Sequence, residues 1–410
     1  MYDFVNEPPR QTPVQQHCIT AVVGGGFAGI AAALSAARAG SDVILFEQQY
    51  ALGGLATLGL ITHYLPLCDG YGRQVSFGIA EELMRLSVSL DEKADVIKEW
   101  HSSLQHSRQK TARRLICEFN PSLFAILAER LLLSAGVRIF YGTSICGVEI
   151  RGGTVSALLV ESREGRWAVS VRNVVDCSGD AAVCRQAGAS TALFAQQNIL
   201  AAWYAATQNG VLQVVPLGAC DIPDKYKATM PQMEEQNAQK RYAGVTAEDL
   251  SAFSIDAHEM LLEDYLKKGQ PTSQHRLAAI PAIPEVRMTR KIIGIQVLEE
   301  NEGVVFDDSI GMISNWKRPG PIYEIPFSCL CTPQVHNILA AGRCISVSDT
   351  MWDLTRVIPA CAVTGEAAGL AAAMYSDFRR IRIPEIQSVL RARGVALHAD
   401  ELAFASADSP

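Results

Sequence analysis

Gly24, Gly26 and Gly29 stand in a G-x-G-x-x-G spacing, and Glu47 follows 18 residues after the last of them. Glycines so placed let backbone N–H groups close on an anion, because no Cβ stands in the way. In that arrangement Gly24 permits a tight turn, Gly26 admits a pyrophosphate, and Gly29 lets a helix pack closely on a strand. A carboxylate at the position of Glu47 accepts hydrogen bonds from a ribose diol and repels a 2′-phosphate, which argues against NADP. The chemistry is the grip on a dinucleotide, and Gly53-Gly54 supplies a second glycine pair that could approach the same ligand.

The elements needed to hold these residues are legible around them. Residues 19–23 are apolar and β-branched, as in a buried parallel strand. Glycines 24–26 make the turn, residues 27–39 form an alanine- and leucine-rich helix that Gly40 stops, and residues 42–47 (DVILFE) form the next strand. This βαβ unit presents a helix N-terminus, with free N–H groups and partial positive charge, to the phosphates. The apolar stretch 19–37 approaches membrane length, but three consecutive glycines interrupt it and Arg38 follows directly, so a soluble protein is expected.

Further along, residues 74–105 have a helical, amphipathic pattern with charges at Glu81, Glu82, Arg85, Asp91, Glu92 and Lys93. Residues 121–135 form a stronger helix with Asn120 as N-cap and Gly136 as stop. Residues 137–172 alternate strands and turns, as in an antiparallel meander, and Val174-Val175-Asp176 opens another strand. Residues 187–333 contain several prolines and breaks at Gly269-Gln270-Pro271 and Pro319-Gly320-Pro321, as in an inserted domain. Residues 338–341 return to a buried strand before Gly342-Arg343, and a helix follows over about 360–375.

The 410 residues are 49% hydrophobic and 19% charged, enough for a sizeable core. A net charge of −7 argues against a nucleic-acid binder, and the basic pairs Arg113-Arg114 and Arg379-Arg380 are expected to be solvated helix faces. Eleven cysteines without regular spacing exclude a disulfide framework and fit a reducing cytoplasm. Cys329-x-Cys331 lacks partners for a zinc site, so no metal is expected. The first residues show no basic start followed by an apolar run, which is unlike a secretory signal.

Glu47, five residues and then Gly53-Gly54 resembles the FAD-binding domains of the glutathione-reductase-like superfamily. Nine ordered blocks extend the likeness: PPRQTPV, GGLAT, EFNPSLFAILAERLL, VVDCSGDAAVCRQAGA, RMTRKIIG, FDDSIG, YEIPFSCL, NILAAGRCIS and RVIPACAVTGEAAGLAAA. Together they are similar to the FAD-dependent oxidoreductase family with GG-x-x-T after the first βαβ unit. The resemblance implies that Gly24, Gly26, Phe27, Ala28, Gly29 and Glu47 hold the ADP half of FAD. Gly53, Gly54, Leu55, Ala56 and Thr57 would lie along the pyrophosphate and flavin, and Gly179 and Asp180 would close the adenine side. Gly342-Arg343 replaces the Gly-Asp of many relatives, and Arg343 would meet the diphosphate by charge. The helix beginning near Pro359 would aim its N-terminus at the flavin N1–C2 edge and favour negative charge there. Disulfide reductases of this superfamily carry CxxxxC where this chain has GGLATLGL, and a second G-x-G-x-x-G for a nicotinamide cofactor is missing.

Hydride chemistry also requires a base and groups that orient the substrate. The segment THYLPLCDGYGRQ offers His63 as the base, Tyr64 and Asp69 to orient, and Arg73 to hold an anion. Each has a plainer reading: His63 and Tyr64 as packing residues, Asp69-Gly70 as a turn. Arg287 and Arg290 would share a helix face suited to a carboxylate, or be surface or ion-pair arginines. Arg356 would stabilise negative charge near the flavin, or pair with Asp349, and Trp352 would be core.

The expected fold is α/β. It comprises a Rossmann-like FAD-binding domain (parallel sheet, helices on one face, antiparallel meander on the other) with an inserted α+β substrate domain. The FAD-binding domain would use residues 17–73, 108–186 and 334–376, and the cap 74–107 and 187–333. Residues 1–16 would form an extension, and 377–410 a C-terminal helix and tail. The expected function is a cytoplasmic FAD-dependent oxidoreductase of dehydrogenase or reductase type, acting on a small organic metabolite by hydride transfer at N5. The alternatives are a flavin monooxygenase or oxidase on the same scaffold, and an electron-transfer flavoprotein without substrate chemistry of its own. A small-molecule substrate is the expected partner, with transient NAD(P)H, a redox partner protein and a homo-oligomer left open, and with no nucleic acid or membrane.

Overall fold

The structure, a computed structural model, describes residue 5 and residues 7–90, 116–218 and 240–402. It opens with β1 (Val14–Val23), α1 (Phe27–Arg38), β2 (Val43–Glu47), β3 (His63–Tyr64), α2 (Ile79–Ser87) and β4 (Cys117–Glu118). Next come α3 (Pro121–Ser134), β5 (Arg138–Tyr141), β6 (Ser144–Arg151), β7 (Thr154–Ser162), β8 (Gly165–Asp176) and α4 (Ala182–Gln186). The cap segment contributes β9 (Thr191–Leu193), β10 (Tyr204–Gln208), β11 (Val211–Val215), α5 (Ala247–Lys267), β12 (Arg276–Ala279) and β13 (Arg290–Ile292). The chain closes with β14 (Ser309–Ser314), β15 (Ile322–Pro326), β16 (Ile338–Ala340), α6 (Asp349–Thr355), α7 (Ile358–Met374) and α8 (Ile383–Ala392).

One sheet in the order β5-β2-β1-β8-β7-β6 forms the frame, with β16 also on β8. β5, β2, β1, β8 and β16 run parallel, whereas β6, β7 and β8 form the antiparallel meander. β8 serves two partners along one edge, β7 over residues 165–170 and then β16 over 174–176. The alternation of a strand separates two cores. Val22, Leu45, Val175 and Leu339 face the helical side. Ala21, Val23, Ile44, Phe46 and Val174 face the meander, where Val155, Leu158, Val160 and Trp167 cover them.

On the helical side α1 and α7 cross closely because both present small residues. A Cβ on Gly365 would fall on the Ala28 carbonyl oxygen, and one on Gly369 on the Ala32 carbonyl oxygen. Small side chains let the two backbones meet, and the crossing brings the N-terminal ends of both helices to the carboxyl ends of β1 and β16. Asn120 caps α3 by accepting from the N–H groups of Ser122 and Leu123.

The domain division read from the sequence shifts in four places. β1 begins at Val14, inside the supposed extension, because its polar first half pairs with β8. β5 joins the parallel sheet beside β2 instead of the meander. α2 packs in the α1/α7 core, so the described part of 74–107 is not cap; the expected helix beyond it lies outside the described residues. β14, β15 and α8 also belong to that core, through Ile310, Ile313, Tyr323, Ile325, Ile386 and Leu390. The cap keeps a smaller core of its own, built on Tyr204, Tyr242, Phe253, Leu261, Tyr265 and Val286. No single helix among the described residues is long and apolar enough to cross a membrane. Only α6 and α7 taken together meet the test, across a bend of 90°.

Candidate functional site

The turn after β1 is built to receive a ligand. Gly26 caps α1 with an ordinary backbone angle (φ −71°), and no side chain occupies the helix N-terminus. A Cβ on Gly26 would meet nothing within 4 Å, so this glycine is not demanded by the fold around it. The space it leaves belongs to a cleft of about 410 Å³ lined by Gly24, Gly26, Phe27 and Ala28. Gly53-Gly54 docks beside this turn: the Gly53 N–H donates to the Gly25 carbonyl at 2.8 Å, and Gly54 lies against the Gly26 backbone. Two uncapped backbone segments therefore converge on one open space.

Glu47, buried at the end of β2, accepts from the N–H groups of Gly25 (2.6 Å) and Gln49 (2.7 Å). Burial raises its carboxyl pKa while those donors oppose the shift. Each oxygen keeps a further lone pair, which suits a ribose diol. Gly53, Gly54, Leu55 and Ala56 continue the wall, and Gly179, Asp180, Gly342 and Arg343 line it from β8 and β16. α7 adds Ile358 and Cys361 to the same wall, and no side chain caps its N-terminus, where Pro359 occupies the first turn. Burial pushes the Cys361 thiol up to about 12 and raises Cys177 well above the ordinary thiol range, so neither cleft thiol is poised as a thiolate.

Several candidate residues do other work. Thr57 donates its hydroxyl to the Leu52 carbonyl (2.6 Å) and closes its own turn. Arg343 lines the cleft, but its Nη1 donates to the carbonyls of Val286 (2.7 Å) and Arg287 (2.9 Å), tying the cap to the sheet. Asp180 accepts from the Thr289 hydroxyl at 2.6 Å. Tyr64 is fully buried, edge-on to Phe27 with its hydroxyl on the Ala80 carbonyl, and so cannot orient a substrate. Asp69 is fully buried and accepts from Tyr71 N, Arg73 N and Arg73 Nε, so Asp69 and Arg73 hold a turn. Arg287 and Arg290 share no helix: Arg290 starts β13, and Arg287 is a buried partner of Glu285 at 3.3 Å.

Arg356 does line the cleft. Its partner is Asp353 at 2.6 Å, whereas Asp349 pairs with Lys291, which corrects the expected Asp349–Arg356 pair. The reason is helical spacing, since Asp353 and Arg356 are three apart at the end of α6. Asp353 is fully buried and also meets Lys317. Trp352 is core, donating Nε1–H to the Arg343 carbonyl. His63 is half-buried, its ring edge-on to Trp203 at 5.1 Å, and its Nδ1 is buried without a partner.

The opposite wall of the cleft was not foreseen. Gly244, Leu250, Ile283, Pro284, Val286 and Thr289 come from the cap and face Leu58 and Arg356. The Ala282 N–H fastens this wall to the Leu58 carbonyl at 2.7 Å. Nothing in the local pattern of residues 281–286 (PAIPEV) connects them to a glycine turn some 260 positions earlier.

Within that wall Glu285 is buried beside Arg287 and accepts from the Trp203 N–H. Burial pushes its carboxyl from the ordinary 4.5 up to about 7, against the attraction of Arg287. A raised folded pKa means stability that is whole below about pH 4.5 and is lost as pH climbs through 7. Glu285→Gln mimics the protonated form, so the variant should gain on the wild type by about 2–3 kcal/mol between about pH 5 and pH 8. Urea midpoints of both proteins at the two pH values check this; a constant difference between them would refute it.

Two glycine turns, a buried carboxylate and two uncapped helix N-termini around one cleft make this a fold of the dinucleotide-binding class. The FAD dependent oxidoreductase family model matches residues 20–250 and 226–390. The chain belongs to this family, and its cofactor is FAD. A curated relative, a thioredoxin reductase of Ureaplasma parvum serovar 3, is 33% identical over 69 residues, which is 17% of this chain and 22% of that protein. Among solved structures, a geranylgeranyl bacteriochlorophyll reductase-like protein of Thermoplasma acidophilum is 13% identical, with 92% of this chain and 84% of that chain covered (TM-score 0.44). A flavocytochrome c3 fumarate reductase in its open conformation is 16% identical over 88% of this chain and 79% of its own (TM-score 0.41).

Proposed function

We propose that the protein oxidises or reduces a small organic metabolite by two electrons, as a dehydrogenase or reductase of the GG-x-x-T branch of its family. FAD, when bound, supplies two-electron chemistry by hydride transfer at N5. The observation that carries the reading is the cap wall. Leu250, Ile283, Pro284 and Val286 of the cap add apolar surface to the same cleft that the glycine cradle lines, with Arg356 also on its lining. Such a lining suits a small molecule, with Arg356 to orient or stabilise negative charge. The cap residues on that lining favour a small substrate over direct electron exchange with a partner protein.

On this reading Gly24, Gly26, Gly29 and Glu47 hold the ADP half, and Gly53 to Ala56 follow the diphosphate toward the flavin. Phe27 positions the turn from below, stacked on Phe124 with ring centroids 4.5 Å apart. His63 is not on the cleft lining; it is the group proposed to move a proton because it lies five residues beyond Leu58, which is on that lining, and its buried Nδ1 has no partner among the described residues.

Purified protein should be yellow, and anaerobic mixing with a metabolite panel should bleach the flavin with one substrate class. Bleaching by a partner protein alone would replace this reading with electron transfer. Substrate-dependent oxygen consumption that yields a hydroxylated product would replace it with a monooxygenase. With the substrate so found, His63→Ala should keep FAD and slow bleaching about 100-fold or more. Unchanged bleaching removes His63 from the chemistry.

A further inference from the structure

Arg343 is anchored in the frame and reaches into the cap. It follows Gly342, where a Cβ would fall 2.8 Å from that of Ala28 and whose N–H donates to the Thr364 hydroxyl at 3.0 Å. The Arg343 carbonyl accepts from Trp352 Nε1 at 2.6 Å. The backbone is thus pinned between the first turn of α1, α6 and α7. The side chain lines the cleft and donates through Nη1, to the Val286 and Arg287 carbonyls at 2.7 and 2.9 Å. Val286 belongs to the core of the cap, so these two bonds set the cap wall against the sheet.

The other edge of the guanidinium lies over Gly179. A Cβ on that glycine would fall 2.4 Å from Nη2 and 3.1 Å from both Cζ and Nε, and Gly179 also lines the cleft. Among the described residues the Nε–Nη2 edge has no hydrogen-bond acceptor, and Arg343 pairs with no carboxylate. Arg356, by contrast, gives its Nε and Nη2 to Asp353. Arg343 is half-buried, and a guanidinium there that meets only neutral carbonyls leaves its charge uncompensated. Its rigid fork fits two oxygens of one anion.

We propose that Arg343 is a positioning residue that links cofactor to cap. Its Nε–Nη2 edge takes phosphate oxygens of the bound FAD while Nη1 holds the Val286 and Arg287 carbonyls, so that filling the cradle fixes the substrate wall. The inference rests on FAD occupying the cleft and on the cap wall being the substrate side. Phosphate is the anion this lining suits, because the Gly24 to Ala28 turn and the uncapped N-terminus of α1 share it. A charge-assisted contact on one edge immobilises the whole planar group, and with it the donor that reaches the cap. Two further bonds, from the Ala282 N–H to the Leu58 carbonyl and from the Thr289 hydroxyl to Asp180, keep the cap attached throughout. The cofactor therefore tightens the wall without assembling it.

The test is hydrogen exchange of the full-length protein over residues 282–289, read by mass spectrometry without ligand and with FAD, ADP or adenosine. In the wild type FAD and ADP should each slow exchange of this segment about 10-fold or more, the scale of one charge-assisted hydrogen bond. Adenosine, which lacks the diphosphate, should leave it unchanged. Arg343→Lys replaces the fork by a point charge, so FAD at saturation should slow exchange at residues 24–30 but not at 282–289. Equal slowing of 282–289 in variant and wild type overturns the proposal. So does a segment loosened by the same factor with and without FAD, which is what a merely structural arginine would give. If the variant does not load, the wild type decides, and adenosine acting as strongly as ADP overturns the proposal. Colourless protein would refute FAD binding itself, whereas yellow protein whose cap exchanges alike with and without FAD refutes only this inference.

Discussion

Gly26→Val should fold as the wild type does and lose FAD. The backbone of Gly26 sits at φ −71°, open to any residue, and a Cβ there meets no protein atom within 4 Å. The protein therefore gives no structural reason for glycine at this position. On the proposed reading the reason is the ligand: the added side chain would enter the cleft between the turn of Gly24 to Ala28 and the docked Gly53-Gly54 pair, where the pyrophosphate would come within hydrogen-bond distance of the backbone. Affinity should fall at least 100-fold, about 3 kcal/mol. The thermal midpoint without added FAD should stay within a few degrees of the wild type. Flavin fluorescence titration of the apoprotein measures the first and calorimetry the second. A yellow, fully loaded Gly26→Val protein would show that the diphosphate does not pass this turn.

Gly365→Val should do the reverse, damaging the fold and only through it the site. Here the Cβ would land on the carbonyl oxygen of Ala28, in the middle of the α1–α7 crossing. Both helices are buried along most of their lengths, so neither can move aside without opening the core between them. The expected cost is about 3 kcal/mol or more, read as a lower denaturant midpoint, because overpacking against backbone cannot be relieved by a rotamer change. Loss of FAD should follow in proportion to unfolding, since the crossing sets both helix N-termini at the cleft. A Gly365→Val protein as stable as the wild type would mean that the helices are not in backbone contact. The two variants separate a glycine kept for a ligand from a glycine kept for packing, although the sequence writes both with the same letter.

Much of the cofactor half of the site can be read from residues close together in the chain. The strand, glycine turn, helix and acid of the βαβ unit lie within about 30 residues, and their geometry follows from local rules of turn, cap and strand period. The core helices α1, α3 and α7 announced themselves in the same way, by composition, caps and length. Residues judged one by one for chemistry fared differently. Tyr64, Asp69 and Arg73 sit in a segment dense with polar groups, yet Tyr64 is in the core and the other two hold each other. A side chain's type shows what it can do but not which way it faces. The arginines show the same gap: Arg343 is occupied by carbonyls of residues 286 and 287, and Arg356 keeps its place on the cleft lining but is held there by Asp353, not by Asp349.

The class of fold and the dinucleotide cradle are written in contacts between near neighbours, whereas the preference for FAD comes with the resemblance of the ordered sequence blocks to an FAD-dependent family. The rest of the site depends on the assembled chain: the cap wall of Leu250, Ile283, Pro284 and Val286, the tether from Arg343, and the burial of Glu285 beside Arg287. Those contacts join residues tens to hundreds of positions apart, and their pairing depends on how the sheet, the α1–α7 crossing and the cap pack together. That packing is a property of the assembled core, which no stretch of VVGGGFAGIAAAL or PAIPEV encodes alone.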